Sequence, residues 1–191
     1  MVNESLTLED REKLLRIARE ALMLGVYGKP VGQIEHRSFS EKLRENGASF
    51  VTLTKGGRLR GCIGTLDPYQ PLIDDVREHA VAAATQDYRF PPVKPDELKD
   101  IKIEISRLTK PKSLAYSNYA DLLSKLRPGI DGVVLLDGFR KATFLPQVWD
   151  KIPDPGEFLS HLSTKMGLPS NAWQVQNLDV LIYQVEEFHE K

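Results

Sequence analysis

Phe50-Val51-Thr52-Leu53-Thr54-Lys55-Gly56-Gly57-Arg58-Leu59-Arg60-Gly61-Cys62-Ile63-Gly64 reads as a β-hairpin. Residues 50–54 are β-branched, aromatic or aliphatic, the types that fit a pleated surface. Gly56-Gly57 suits a two-residue turn that needs positive φ. Arg58–Thr65 then returns as the second strand. With Gly56-Gly57 as the loop, Leu53 lies opposite Arg60 and Val51 opposite Cys62. Alternation puts Arg60, Cys62 and Gly64 on one face, and Leu59, Gly61 and Ile63 with Phe50 on the other. Cys62 is the only cysteine in 191 residues. Gly61 and Gly64 beside it mark places where a backbone or a ligand comes close.

The totals describe an ordinary globular chain. Hydrophobic residues make up 41% and charged residues 28%, and the net charge is −1 from 26 basic and 27 acidic residues. No long basic run is present, which argues against a dedicated nucleic-acid binder. One cysteine cannot form an internal disulfide, Met1-Val2-Asn3-Glu4 lacks a leader pattern, and no apolar run approaches a membrane span. These features together lead to the expectation of a cytoplasmic protein with a reduced thiol.

Outward from the hairpin, Thr7-Leu8-Glu9-Asp10 opens a helix with a capping box, and Gly25, Gly28 and Pro30 close it. A short helix is expected at Ser40–Glu45. After the hairpin, Asp67-Pro68 leads into a helix from about Pro71, with Leu72, Val76, Ala80 and Ala83 on its buried stripe and His79 at the stripe's edge. In Asp87-Tyr88-Arg89-Phe90-Pro91-Pro92 the prolines stiffen the loop and fix Asp87 and Arg89. Those two residues are either a self-contained ion pair that staples the loop or ligand contacts. Ile101-Lys102-Ile103-Glu104-Ile105-Ser106 alternates as a half-buried strand, with Glu104 facing water or a cleft.

Tyr119–Leu126 is a short helix. Asp131–Leu136 and Phe139–Phe144 flank Asp137-Gly138 as a second hairpin, and Gly132 signals a bulge or a close approach. Asp154-Pro155-Gly156-Glu157 opens a helix with an aspartate cap and proline in the first turn. Trp173–Phe188 is strand-like. No repeat appears, and no linker divides the chain by composition.

The chemistry narrows to the thiol. The four histidines are scattered, without metal-ligand spacing, and phosphate-loop and nucleophile-elbow motifs are absent; no cofactor is implied. A nucleophilic cysteine needs its thiolate stabilised by nearby positive charge, and Arg60 carries a permanent one. Cys62 and Arg60 are thus the candidate catalytic pair. Gly61, Gly64, Asp87, Arg89 and Glu104 are the candidate ligand contacts. The competing reading makes Cys62 a small buried hydrophobe, and no histidine is placed by the sequence to act as its base.

Leu59-Arg60-Gly61-Cys62-Ile63-Gly64 resembles the signature of the AMMECR family. Asp87–Pro92, Ile103–Ser106, Gly129–Leu135, Leu145–Trp149 and Phe158-Leu159 with Lys165–Pro169 resemble its other blocks in order, covering nearly the whole chain. Met166 departs from the alanine of many members, a packing change. The resemblance implies a single AMMECR domain over residues 1–191 with an α+β fold of two antiparallel-sheet lobes flanked by helices. The larger lobe would hold both termini (1–109 with 172–191) and the smaller 110–171, with the cysteine motif beside the cleft between them. It also implies neighbours, a Memo-like protein and a radical-SAM protein. No reaction is established for the family, for which an enzymatic role and a link to basic information processing have both been suspected.

Overall fold

The computed structural model describes residues 5–191; Met1–Glu4, read above for a leader pattern, lie outside them. Two compact units form, the described part of Met1–Leu108 with Glu186–Lys191, and Thr109–Val185. Both combine helices with an antiparallel sheet, so the α+β class implied by the resemblance holds.

In the first unit, helix α1 (Leu8–Val26) starts at Thr7, whose side chain and that of Asp10 cap each other's backbone N–H groups. A short α2 (Glu41–Arg44) precedes β1 (Asn46–Lys55) and β2 (Arg58–Gly64). β3 (Gln70–Pro71) leads into α3 (Leu72–Thr85), and β4 (Ile101–Leu108) follows. The sheet order is β2-β1-β4, with β9 (Val185–His189) added at the far edge and β3 paired to the start of β1. Val51, Leu53, Ile101, Ile103 and Ile105 alternate onto one face and share a core with Leu14, Ala18 and Leu22 of α1 and Val76, Ala80 and Ala83 of α3. Acids of the chain end tie β9 to the same side: Glu186 within it pairs with Arg11 and Arg107, and Glu190 just past it with Arg19.

The first hairpin forms around Gly56-Gly57, at φ 58° and 74°. Its register differs from the sequence expectation. Lys55 and Leu59's partner Thr54 pair as counted, but the ladder shifts between Leu53 and Thr54, so Gly61 lies opposite Leu53 and Thr52 opposite Cys62. Arg60 is the extra residue of a β-bulge, which two-residue alternation cannot anticipate. Phe50 therefore shares the Cys62 face, and Gly61 and Ile63 join Val51 and Leu53 on the helix-covered face.

In the second unit, β5 (Lys112–Ser113), α4 (Tyr119–Lys125), β6 (Gly132–Asp137), β7 (Arg140–Phe144), α5 (Pro155–Lys165), α6 (Ala172–Val175) and β8 (Asp179–Tyr183) build a sheet of order β5-β8-β6-β7. Trp149 stacks on Phe158 at 3.7 Å between centroids, and its indole N–H donates to the Asp131 carbonyl. Three expectations shift. The second hairpin turns at Gly138-Phe139, because Asp137 still pairs with Arg140. Residues 172–185 belong to this second unit, since β8 pairs with β5 and β6, and Trp173 sits in a helical turn rather than a strand. Gly132 faces the Tyr183 ring, 2.4 Å from where a Cβ would stand.

A methyl at Gly61 would lie 2.1 Å from the Ala83 carbonyl of α3, whereas one at Gly32 meets nothing within 4 Å. Gly61→Ala is expected to cost about 1–3 kcal/mol through forced separation of α3 from the sheet. Thermal denaturation should therefore show a Tm lowered by several degrees for Gly61→Ala and unchanged for Gly32→Ala.

Candidate functional site

Strand β2 is an edge: it pairs with β1 alone, so every second residue turns its N–H and C=O outward. At Cys62 both outward groups are captured. The Cys62 N–H donates to Asp87 Oδ2 at 2.8 Å, and the Cys62 carbonyl accepts from Arg89 Nη2 at 3.2 Å. Asp87 and Arg89 are themselves paired through two side-chain bonds of 2.9 and 2.7 Å, and the Arg89 N–H also donates to Asp87. The four groups close a ring in which a buried carboxylate and a guanidinium grip one peptide on each side. Charge-assisted bonds of this kind are the strong ones. The Arg89 guanidinium and the two N–H groups hold the Asp87 carboxyl well below the usual carboxylate range. The pair staples its own loop, one of the two sequence readings, and it also clamps the cysteine backbone.

Arg60 is equally committed. Nε and Nη2 donate to Glu97 at 3.1 and 2.9 Å, and Nη1 and Nη2 donate to the carbonyls of Pro91 and Pro92. Proline lacks an N–H but keeps its acceptor, so the stiff Pro91-Pro92 segment serves as an acceptor pair. Glu97 also accepts from Lys55 and from the Lys94 N–H, and Arg60 first, then the Lys94 N–H and Lys55, hold its carboxyl down at about 2. Lys55 alternates with Val51 and Leu53, on the face opposite Cys62. The expected sharing of a face by Arg60 and the thiol is corrected by the bulge: the arginine braces the 91–97 segment and is not an anion clamp beside the sulfur.

The glycines are likewise explained by the chain itself. Gly61 lies under α3, and a Cβ at Gly64 would meet the Ser49 carbonyl at 2.3 Å and Phe50 at 2.5 and 2.6 Å. Backbone and ring, not ligand, make the close approach.

The thiol remains. Cys62 is partly buried, and its Sγ accepts from the Thr52 hydroxyl at 3.3 Å. Thr52 lies opposite Cys62 on one side and Glu104 on the other, giving a cross-strand row of thiol, hydroxyl and carboxyl on the face that α1 and α3 leave uncovered. Burial, and then the charge of Glu187, push the Glu104 carboxyl up, partly offset by His189. Glu187 and His189 flank Phe188, which enters the helix-side core, so both alternate onto the Glu104 face. Thr52 and His189 were not singled out by sequence. A threonine in a strand looks like any β-former, and His189 reaches Glu104 only through the pairing of β9 with β4. Among the described residues, no group of three or more His, Cys, Asp or Glu could hold a metal ion, and no helix is long and apolar enough to cross a membrane.

Glu97 stays charged in the folded protein to a lower pH than its ordinary value of 4.5, and Asp87 to a lower pH than 3.8. Their stabilisation is therefore full above those values and drains away as pH falls below them. Asp87→Ala and Glu97→Gln are each expected to cost about 1.5–3 kcal/mol at pH 7. Urea unfolding of the Glu97→Gln variant should approach the wild-type midpoint as pH drops from about 4.5 towards 2.

The AMMECR1 family model matches residues 15–188. A protein of Methanopyrus kandleri is 39% identical over 198 residues, covering 100% of this chain and 93% of its own. One of Methanothermobacter thermautotrophicus is 39% identical over 190 residues, covering 97% and 96%. The crystal structure of an uncharacterized protein from Pyrococcus horikoshii is similar at 32% identity and a TM-score of 0.87, over 97% of this chain and 94% of that one. The match runs through both units, and the chain belongs to the AMMECR1 family.

Proposed function

We propose that the protein is an enzyme or small-ligand binder whose site is the row Cys62, Thr52 and Glu104, with Cys62 as nucleophile or ligand contact. The observation that carries this reading is the division of labour within Leu59–Gly64. Arg60, Gly61, Gly64 and both backbone groups of Cys62 are used up in holding one residue in place. The side chain so held has a hydroxyl donor, and its row continues to a carboxyl with raised proton affinity. The Thr52 hydroxyl, donating to the sulfur, fixes where the sulfur sits. Glu104, one strand further, is the group suited to take or return a proton on the ligand, since a carboxyl with raised pKa exchanges protons closer to neutral pH. Asp87, Arg89 and Arg60 act as positioning residues. A reducing cytoplasm, where a lone thiol stays free, is the compartment that fits this role.

The second reading is a non-catalytic partner of Memo-like and radical-SAM proteins, or a protein serving basic information processing. It is favoured by the same thorough use of the motif in packing. It requires that Cys62→Ala keep function while Cys62→Leu disturbs the strand.

Alkylation of Cys62 by iodoacetamide, followed against pH, tests the first reading. Thr52→Val is expected to slow alkylation at pH 7 roughly 3- to 10-fold by removing the hydroxyl that bonds the sulfur, and Glu104→Gln should alter the pH profile. Profiles of both variants superimposed on the wild type would remove the site.

A further inference from the structure

The tip of the first hairpin holds a charge arrangement that the Cys62 site does not explain. Lys55 and Arg58 are directly opposite each other across the ladder, next to the Gly56-Gly57 turn. Like charges in that position repel and weaken the pair. Arg60 adds a third cation close by. Glu97 relieves two of the three, bonding Lys55 at 3.0 Å and Arg60 at 2.9 Å. Arg58 is exposed and, among the described residues, makes no ion pair or side-chain hydrogen bond. These three side chains line a surface pocket of about 750 Å³ together with Gly56, Leu59 and Asp100. That volume is within the range of small-molecule sites. Leu59 is 45% exposed and gives the pocket an apolar wall.

A cation left without internal compensation beside two others is what a binding site leaves behind. The missing partner of Arg58 is an anion. Its charge is limited by Asp100, which also lines the pocket and opposes a multiply charged group. Its body must cover Leu59. We infer that the hairpin-tip pocket binds a small organic monocarboxylate, with the carboxylate on the Arg58 guanidinium beside Lys55 and the apolar body on Leu59. A guanidinium fork matches a carboxylate in two parallel bonds, which a lysine at this position would not supply.

Benzoate is the probe, with benzamide as its uncharged isostere and inorganic phosphate as the multiply charged comparison. An NMR titration of the full chain follows the Gly56 and Gly57 amides and the Arg58 Nε–H. Saturable shifts with benzoate at a Kd of about 1 mM or tighter, absent with benzamide, are expected. Arg58→Gln should weaken binding at least tenfold, and Asp100→Asn should strengthen it a few-fold. No saturable shift with benzoate, equal shifts with benzamide, tighter binding of phosphate, or undiminished binding by Arg58→Gln would each overturn the inference. Cys62 alkylation is read in the same variants. Unchanged rates in Arg58→Gln leave the thiol reading standing whatever the outcome here, because Arg60, not Arg58, is the side chain that both lines the pocket and braces the Cys62 strand.

Discussion

A single carboxylate, that of Asp87, connects the parts of the first unit that matter most. It accepts the Cys62 N–H from the edge strand and binds the Arg89 guanidinium, which returns to the Cys62 carbonyl. An edge strand left with free donors and acceptors is open to exchange, slippage and pairing with other chains. Here the loop that follows α3 fills that role at one peptide. The proline pair then fastens the same loop to Arg60 two residues upstream. Packing of Gly61 under α3 completes the enclosure from below. The backbone of Cys62 is held from the edge, from the neighbouring strand and from the helix layer, while its sulfur is turned to the face away from α1 and α3.

Such over-determination has a chemical consequence. Placing a reacting or contacting atom within a fraction of an ångström requires support from groups that do not themselves react. Asp87, Arg89, Arg60 and Glu97 form two charged pairs that carry this support, and both carboxylates are held in the ionised state by their donors. The carboxyl of Glu104, in the same row as the sulfur, is pushed the opposite way. Carboxyls that hold their protons differently within one small region divide structural from chemical duties. The same logic binds the chain end into the unit: Glu186 and Glu190 of the last segment pair with arginines of α1, so β9 closes the sheet and brings His189 to Glu104.

Much of this was legible in the residues. The capping box at Thr7, the Gly56-Gly57 turn, the isoleucine alternation of β4 and the aspartate cap at Asp154 are local signals, and local physics decides them. The bulge at Arg60 was not legible, because counting by twos assumes an unbroken ladder and the extra residue is selected by the distant acceptors Glu97, Pro91 and Pro92. The pairing of Asp87 with Arg89 could be read from two-residue spacing, but not its target, since which strand edge a loop meets is a tertiary fact. Trp173 looked like strand because aromatic and β-branched neighbours favour pleated surfaces, yet a helical turn buries it beside Phe158 and Leu162. The glycines were rightly read as points of close approach, and it took the fold to show that backbone and ring do the approaching.

The clamp on Cys62 is tested most directly by native-state hydrogen exchange at its amide. An outward-facing amide of an edge strand exchanges almost as fast as an unfolded one unless something bonds it. The account predicts that the Cys62 N–H is slowed at least about 100-fold relative to an unprotected amide, and that Asp87→Asn removes most of that protection while neighbouring inward amides keep theirs. Exchange at Cys62 as fast as in an unfolded chain, or protection unaltered by Asp87→Asn, would contradict it.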